Sequence, residues 1–289
     1  MKMIWTLAWP FAKKFVGGRD IPEVLQKSRE LKNLGYKIIA SSSNEHIAYD
    51  DLPNILKIKH EYIGLIKHLD KDAKISIKLS QFGLTKARSI SEKCDALPHL
   101  LEVLEDARKK NIRVPFDAEY LTDREFYSDF LTSLWNAGFK NIERVVQAYG
   151  SDWKRFIKKC TETPIPVRVC MGAYKSDPAA LSFKKNYAEI DYQYNYAVNE
   201  FLSRGIEVEI ATGNEERINF WAGKVEDNPA AQFSMLLGIR PDLARHLKES
   251  GRAPYIYCLF GDSWFPFFKR RILENPRYLL LPFQKQADY

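Results

Sequence analysis

The chain has 289 residues, 45% of them hydrophobic and 13% aromatic, which supports a large core and excludes a disordered chain. Its formal net charge of +7 comes from 44 lysines and arginines spread among 37 acids with no nucleic-acid-binding motif, so a solvated basic surface is expected and no nucleic-acid partner. Cys94, Cys160, Cys170 and Cys258 show no Cys-x-x-Cys spacing and no neighbouring histidine at ligand spacing, which argues against a metal site and fits reduced thiols in a cytosolic protein.

In chain order, Thr6–Ala12 is apolar but too short, and too soon broken by Pro10, to cross a membrane. No small-residue cleavage site follows it. Trp5, Trp9 and Phe11 with Lys13 and Lys14 leave two readings open, contact with a membrane surface or a helix capping one end of the fold. Strand-like runs then recur at Tyr36–Ser41, Lys74–Ser80, Ile112–Ala118, Ile142–Tyr149, Pro166–Met171, Ile206–Ala211, Ala230–Leu237 and Pro254–Phe260. Helix-like stretches separate them: Asp20–Asn33, Pro53–Leu69, Ser91–Lys110, Asp123–Ala137, Asp152–Cys160, Lys185–Ser203, Glu215–Val225 and Asp242–Glu249. Gly35, Gly138 and Gly205 stand where helices should stop.

Eight strands alternating with helices in this length predict an α/β fold, a TIM-like (β/α)8 barrel in a single domain. The expected division is an N-terminal helical segment over 1–34, the barrel over 35–275 and a tail over 276–289. A doubly wound open sheet is the alternative, but it would want Gly-x-Gly-x-x-Gly after an early strand, and none is present.

In such a barrel the chemistry belongs at the carboxyl ends of the strands. The polar residues there are Lys78 and Ser80, Asp117 and Glu119, Gln147, Arg168, Thr212 with Asn214, Gln232 with Ser234, and Tyr257. Lys78, Asp117 and Arg168 have apolar neighbours, so side chains pointing inward must be paired. They mark either a site or an ion network that only fills the barrel. Gly172 and Gly213 would let backbone N–H groups come close to a flat or phosphorylated ligand, though each also suits an ordinary turn.

The last strand runs through Ala253–Gly261, and a helix should start at Asp262 or Ser263 with Pro266 in its first turn. Arg270 and Arg271 then lie one turn after Phe267, with Glu274 in reach of either guanidinium. An adjacent arginine pair in aromatic surroundings suits a substrate carboxylate, which it can hold bidentately. On its own, a solvated pair on an amphipathic helix explains it as well.

Taken together these segments resemble the proline dehydrogenase family. The resemblance starts at Phe11–Gly18 and runs through Ile75–Ser80, Phe116–Glu119, Val146–Tyr149, Val167–Tyr174, Ala211–Asn214 and Leu237–Arg240. It closes with Tyr255–Tyr257, Gly261 and Lys269–Glu274. It implies a flavin-dependent barrel that oxidises L-proline to Δ1-pyrroline-5-carboxylate by hydride transfer to flavin N5, with FAD as cofactor. Carried over by position, Arg270 and Arg271 would hold the substrate carboxylate, assisted by Lys78, while Tyr257 shapes the pocket. Asp117 would support the basic residues. Gln147 and Arg168 would contact the flavin, Arg168 near its reactive edge and in a catalytic role with Lys78 and Asp117. Gly172, Ala173 and Tyr174 would bed the cofactor, and Thr212, Asn214 and Glu274 would make its outer contacts. The resemblance also implies a quinone-type electron acceptor and a cytoplasmic protein with peripheral contact at the inner face of the membrane.

The chain departs from the family pattern at several positions. Met171 and Tyr187 stand where lysines are expected, Gly213 where a histidine is expected, and Phe267 where a tyrosine is expected. The Glu-and-Gln pair expected on the seventh strand is Gln232 and Ser234. The substrate-side charges are retained while cations around the cofactor are thinned, which leaves FAD held differently, a smaller flavin or none as alternatives. The corresponding alternative activities are a flavoenzyme for another cyclic or secondary amino acid, and a flavin-free binding module.

Overall fold

The computed structural model describes residues 8–84, 95–172, 177–182 and 185–274, except for the side chains of 270–274. Eight parallel strands make a closed cylinder: β2 (Lys37–Ser42), β3 (Lys74–Lys78), β4 (Val114–Asp117), β5 (Ile142–Gln147), β6 (Val167–Cys170), β7 (Val208–Ala211), β8 (Ala231–Leu236) and β9 (Tyr255–Phe260). Each pairs with the next in sequence, and β9 closes the ring by pairing with both β8 and β2. This is the (β/α)8 barrel expected from the alternation.

Local chemistry explains the helices between the strands. Helix α1 (Ile21–Asn33) begins where the Asp20 side chain accepts a hydrogen bond from the Glu23 amide and Pro22 occupies the first turn. Helix α2 (Leu52–His68) repeats the device with Asp51 and the Asn54 amide, and buries Ile55, Ile58, Tyr62, Leu65 and Ile66 at helical spacing. The others are α3 (Leu97–Lys109), α4 (Arg124–Asn136), α5 (Trp153–Thr161), α6 (Tyr187–Ser203), α7 (Glu215–Lys224), α8 (Pro241–Glu249) and α9 (Trp264–Glu274). No described helix is long and apolar enough to cross a membrane.

Alternation along the strands splits the interior in two. On β3, Ile75 and Ile77 join the apolar core shared with the helices, while Lys74, Ser76 and Lys78 are also buried but take the other face. The apolar shell therefore lies between barrel and helices, and the lumen holds polar side chains.

One strand has no counterpart in the expected elements. Val16–Gly18 forms β1, which pairs in parallel with Leu259 and Phe260 of β9, beyond the point where the β8 pairing stops at Tyr257. Residues 8–12 are helical just before it. Ala12, Phe15 and Val16 pack with Trp264 and Phe268 of α9 in a second apolar cluster, separate from the main core. Trp9 meets Trp264 at 5.3 Å between ring centroids and also carries the Arg19 guanidinium over its face. Trp9 is thus engaged in packing against the last helix, in line with the capping reading; Trp5 lies outside the described residues.

Candidate active site

Asp117, the last residue of β4, gathers three donors in the lumen. Its Oδ1 accepts from Ser76 Oγ at 2.8 Å and from Arg168 Nη1 at 3.0 Å, and its Oδ2 accepts from the Tyr257 hydroxyl at 2.6 Å. Burial and the Asp117 charge raise the Tyr257 phenol well above its ordinary value, so it stays a donor. The Arg168 guanidinium also lies over the Tyr257 ring at 5.5 Å. Expected site residues from β4, β6 and β9 are thereby brought into one cluster.

The cluster continues toward the amino ends of the strands through residues the sequence did not single out. Arg168 Nε donates to Glu209 Oε1 at 2.5 Å, and Lys74 Nζ bridges Glu209 at 2.6 Å and Glu143 at 2.9 Å. Arg113 pairs with Glu207 at 2.6 Å and reaches Glu143 at 3.4 Å. Burial alone would raise the Glu209 carboxyl, but Arg168 and Lys74 hold it down at about 2. Burial would likewise lower Lys74, yet Glu143 and Glu209 keep it above its ordinary value. Lys74, Glu143 and Glu209 carry the signal already used for Lys78, Asp117 and Arg168, a charge inside an apolar strand, whereas Arg113 and Glu207 stand just before β4 and β7 and are partly exposed. Lys74 opens β3, away from its carboxyl end, and Glu209, level with Arg168 on the neighbouring strand, meets it through a register that no local pattern encodes.

Around the rim, Lys78 is buried with its ammonium 3.5 Å from the Ser42 carbonyl. Its backbone N–H donates to Gln81 Oε1, whose amide group in turn donates to the Ser42 and Asn44 carbonyls, and Tyr62 donates to the same Oε1. Glu119 accepts from Ser80 Oγ at 2.5 Å and from the Ser80 amide; burial raises its carboxyl, with Ser80 and Lys78 acting against it. Gln147 sits at the end of β5 and donates to the Ala118 and Glu119 carbonyls. A cleft lined by Asp117, Ala118, Tyr120, Leu121, Phe126 and Gln147 opens beside these groups.

The expected outer contacts are partly occupied by the fold itself. Asn214 caps α7 by accepting from the Arg217 amide, and Thr212 Oγ1 accepts from the Asn214 amide and from Arg217 Nη1. Gly172 has φ +114, and a Cβ there would fall 2.3 Å from the Tyr149 ring, so its freedom serves the packing of Tyr149. Phe267 packs, partly buried, against the cluster that joins α9 to the N-terminal segment. Arg270, Arg271 and Glu274 belong to α9, but their side chains lie outside the described residues, as do Ala173 and Tyr174.

One donor in the cluster is left over. Among the described residues Arg168 Nη2 has no hydrogen-bond partner although it is fully buried. A guanidinium N–H in that position is costly unless an acceptor meets it.

A family profile described as proline dehydrogenase matches residues 24–278. Proline dehydrogenase 1 of Bacillus subtilis subsp. natto is 29% identical over 272 residues, covering 92% of this chain and 87% of that one. The proline dehydrogenase of Deinococcus radiodurans is 25% identical over 282 residues, covering 93% and 87%. Among solved structures, proline utilization A from Bdellovibrio bacteriovorus inactivated by N-propargylglycine superposes with a TM-score of 0.78 at 19% identity. The match covers 96% of this chain and 33% of that one, so this chain spans about a third of its length, and the likeness concerns the fold. With a lumen of paired charges at the strand ends and a family match over most of its length, the chain belongs to the proline dehydrogenase family, a family of oxidoreductases.

Proposed function

We propose that this chain oxidises L-proline to Δ1-pyrroline-5-carboxylate with FAD as its cofactor. The observation that carries the reading is the Arg168 guanidinium, held by Asp117 and Glu209 with Nη2 left for an acceptor. A flavin ring offers acceptors along one edge, so the residue fits that group. When bound, FAD supplies the two-electron acceptor for the substrate's hydride. Gln147, Arg168, Gly172, Ala173, Tyr174, Thr212, Asn214 and Glu274 are the residues proposed to hold it.

The chain's own work is binding and orientation. Arg270 and Arg271 on α9 take the substrate carboxylate, with Lys78 as a third positive charge from β3. Fixing the acid group by two planar forks would fix the neighbouring carbon against the cofactor. Asp117 keeps Arg168 and Tyr257 in place, and Tyr257, protonated, closes one side of the substrate pocket. A quinone-type acceptor is proposed for the electrons afterwards, reached from the cytoplasmic side by peripheral contact with the membrane.

Purified protein incubated with FAD should become yellow, and its flavin absorbance should bleach when L-proline is added without oxygen. A protein that takes up no FAD overturns the cofactor. Bleaching by another cyclic or secondary amino acid, and not by L-proline, overturns the substrate alone.

A further inference from the structure

Arg168 and Glu209 are register partners on adjacent strands β6 and β7, so their side chains leave the sheet at the same level and on the same face. Glu209 divides its two oxygens, Oε1 to Arg168 Nε at 2.5 Å and Oε2 to Lys74 Nζ at 2.6 Å. Lys74 is itself held by Glu143, and the side chains of Lys74, Glu143 and Glu209 are each at most 4% exposed. A carboxylate tied this firmly cannot follow a moving guanidinium. A planar group pinned at Nε by Glu209 and at Nη1 by Asp117 has its plane and its in-plane rotation fixed. Its third nitrogen is then committed to whatever ligand occupies the lumen.

We propose that Glu209 is a positioning residue that acts through Arg168, and that the Glu209–Lys74 pair sets how strongly the Arg168 charge acts on a flavin placed against Nη2. The second half rests on the flavin reading above; the first half does not. Charges this close in a water-poor lumen are weakly screened. Removing the Glu209 charge leaves more of the guanidinium's positive field at the ligand. Removing the Lys74 charge does the reverse, because Glu209 then offsets Arg168 more completely. Added positive field favours the reduced, more negative form of a flavin, and lost positive field disfavours it.

Two measurements test this. In the FAD-loaded protein, Glu209→Gln should raise the potential of the bound flavin and Lys74→Met should lower it. Each change should shift the oxidised-to-reduced equilibrium about tenfold, about 30 mV for a two-electron couple. The double variant Lys74→Met/Glu209→Gln loses one charge of each sign and should return close to the parent value. It also supplies a balanced protein should a single variant fold poorly. Shifts of one sign in both single variants, or no shift, overturn the electrostatic half. In the flavin-free protein, the Arg168 Nε–H resonance, assigned by its loss in Arg168→Lys, should exchange slowly in the parent and in Glu209→Gln and rapidly in Glu209→Ala. Slow exchange in Glu209→Ala overturns the positioning half. A parent protein that takes up no FAD overturns the flavin reading and with it the electrostatic half, and the resonance alone then decides whether Glu209 positions Arg168.

Discussion

Replacing Asp117 with alanine would remove the acceptor shared by Ser76, Arg168 and Tyr257, leaving Ser76 its bond to the Pro115 carbonyl and Arg168 its bond to Glu209 but stranding Tyr257 and one guanidinium nitrogen. Removing one partner of a buried ion pair costs about 3–5 kcal/mol, so denaturant melts of Asp117→Ala should show a loss of that size. Tyr257→Phe removes a single donor and should cost about 1–3 kcal/mol in the same melts while leaving a ring beneath the guanidinium. If both variants melt alike, the three-way hub is not a stabilising unit. At this scale the sequence was informative wherever a charge interrupts an apolar run near a strand end. Lys78, Asp117 and Arg168 could be recognised on that ground alone. Ser76 and Glu209 could not be ranked with them, because which interior charge meets which depends on the levels of side chains across the lumen. That in turn depends on strand register, which no local pattern encodes.

At the scale of elements, the eight barrel strands were legible because each carries enough apolar residues to set a period, and the helix expected from Asp20 does start at that cap, while Asp51 caps α2 two residues before the expected start at Pro53. The strand β1 was not, because its three residues offer no alternation and its identity comes only from the free edge of β9. The same N-terminal segment leans on the turn after β8. A Cβ on Gly238, which has φ +75, would fall 2.2 Å from the Lys14 carbonyl oxygen. Gly205 has φ +71 but nothing within 4 Å of such a Cβ. Gly205→Ala should therefore cost only the left-handed backbone strain, about 1 kcal/mol. Gly238→Ala should cost clearly more, because a backbone oxygen must also move. Thermal melts of the two variants side by side would expose equal losses if the Lys14 contact were unimportant.

For the whole molecule, the charged lumen predicts how stability varies with pH. Glu209 is held near 2 in the folded chain, below the ordinary glutamate value, so the folded state gains from its ionisation at neutral pH. The sign follows: that stability is present above the ordinary value of about 4.3 and is lost as pH falls toward 2. Glu119 works the other way, because burial raises it; its contribution is largest in acid and fades as pH climbs through its folded value. The melting temperature should fall steeply between pH 4 and 2 in the parent chain and much less in the Lys74→Met/Glu209→Gln variant, where the depressed carboxyl is gone. Equal acid sensitivity in the two would place the effect outside the lumen.

The ring of strands has a seam. Strand β9 pairs with β8, β2 and β1, and α9 follows directly upon it. A ribosome makes the N-terminal elements first, so until β9 emerges the partly built sheet has two bare edges and an unroofed lumen of charges. The helix bearing Arg270 and Arg271 arrives only after that seam is sewn. Chains stopped at about residue 250 should accumulate as sticky, protease-sensitive species, and appending the missing segment as a separate peptide should rescue them. An incomplete copy of this protein would then be cleared as debris before it could occupy substrate to no purpose.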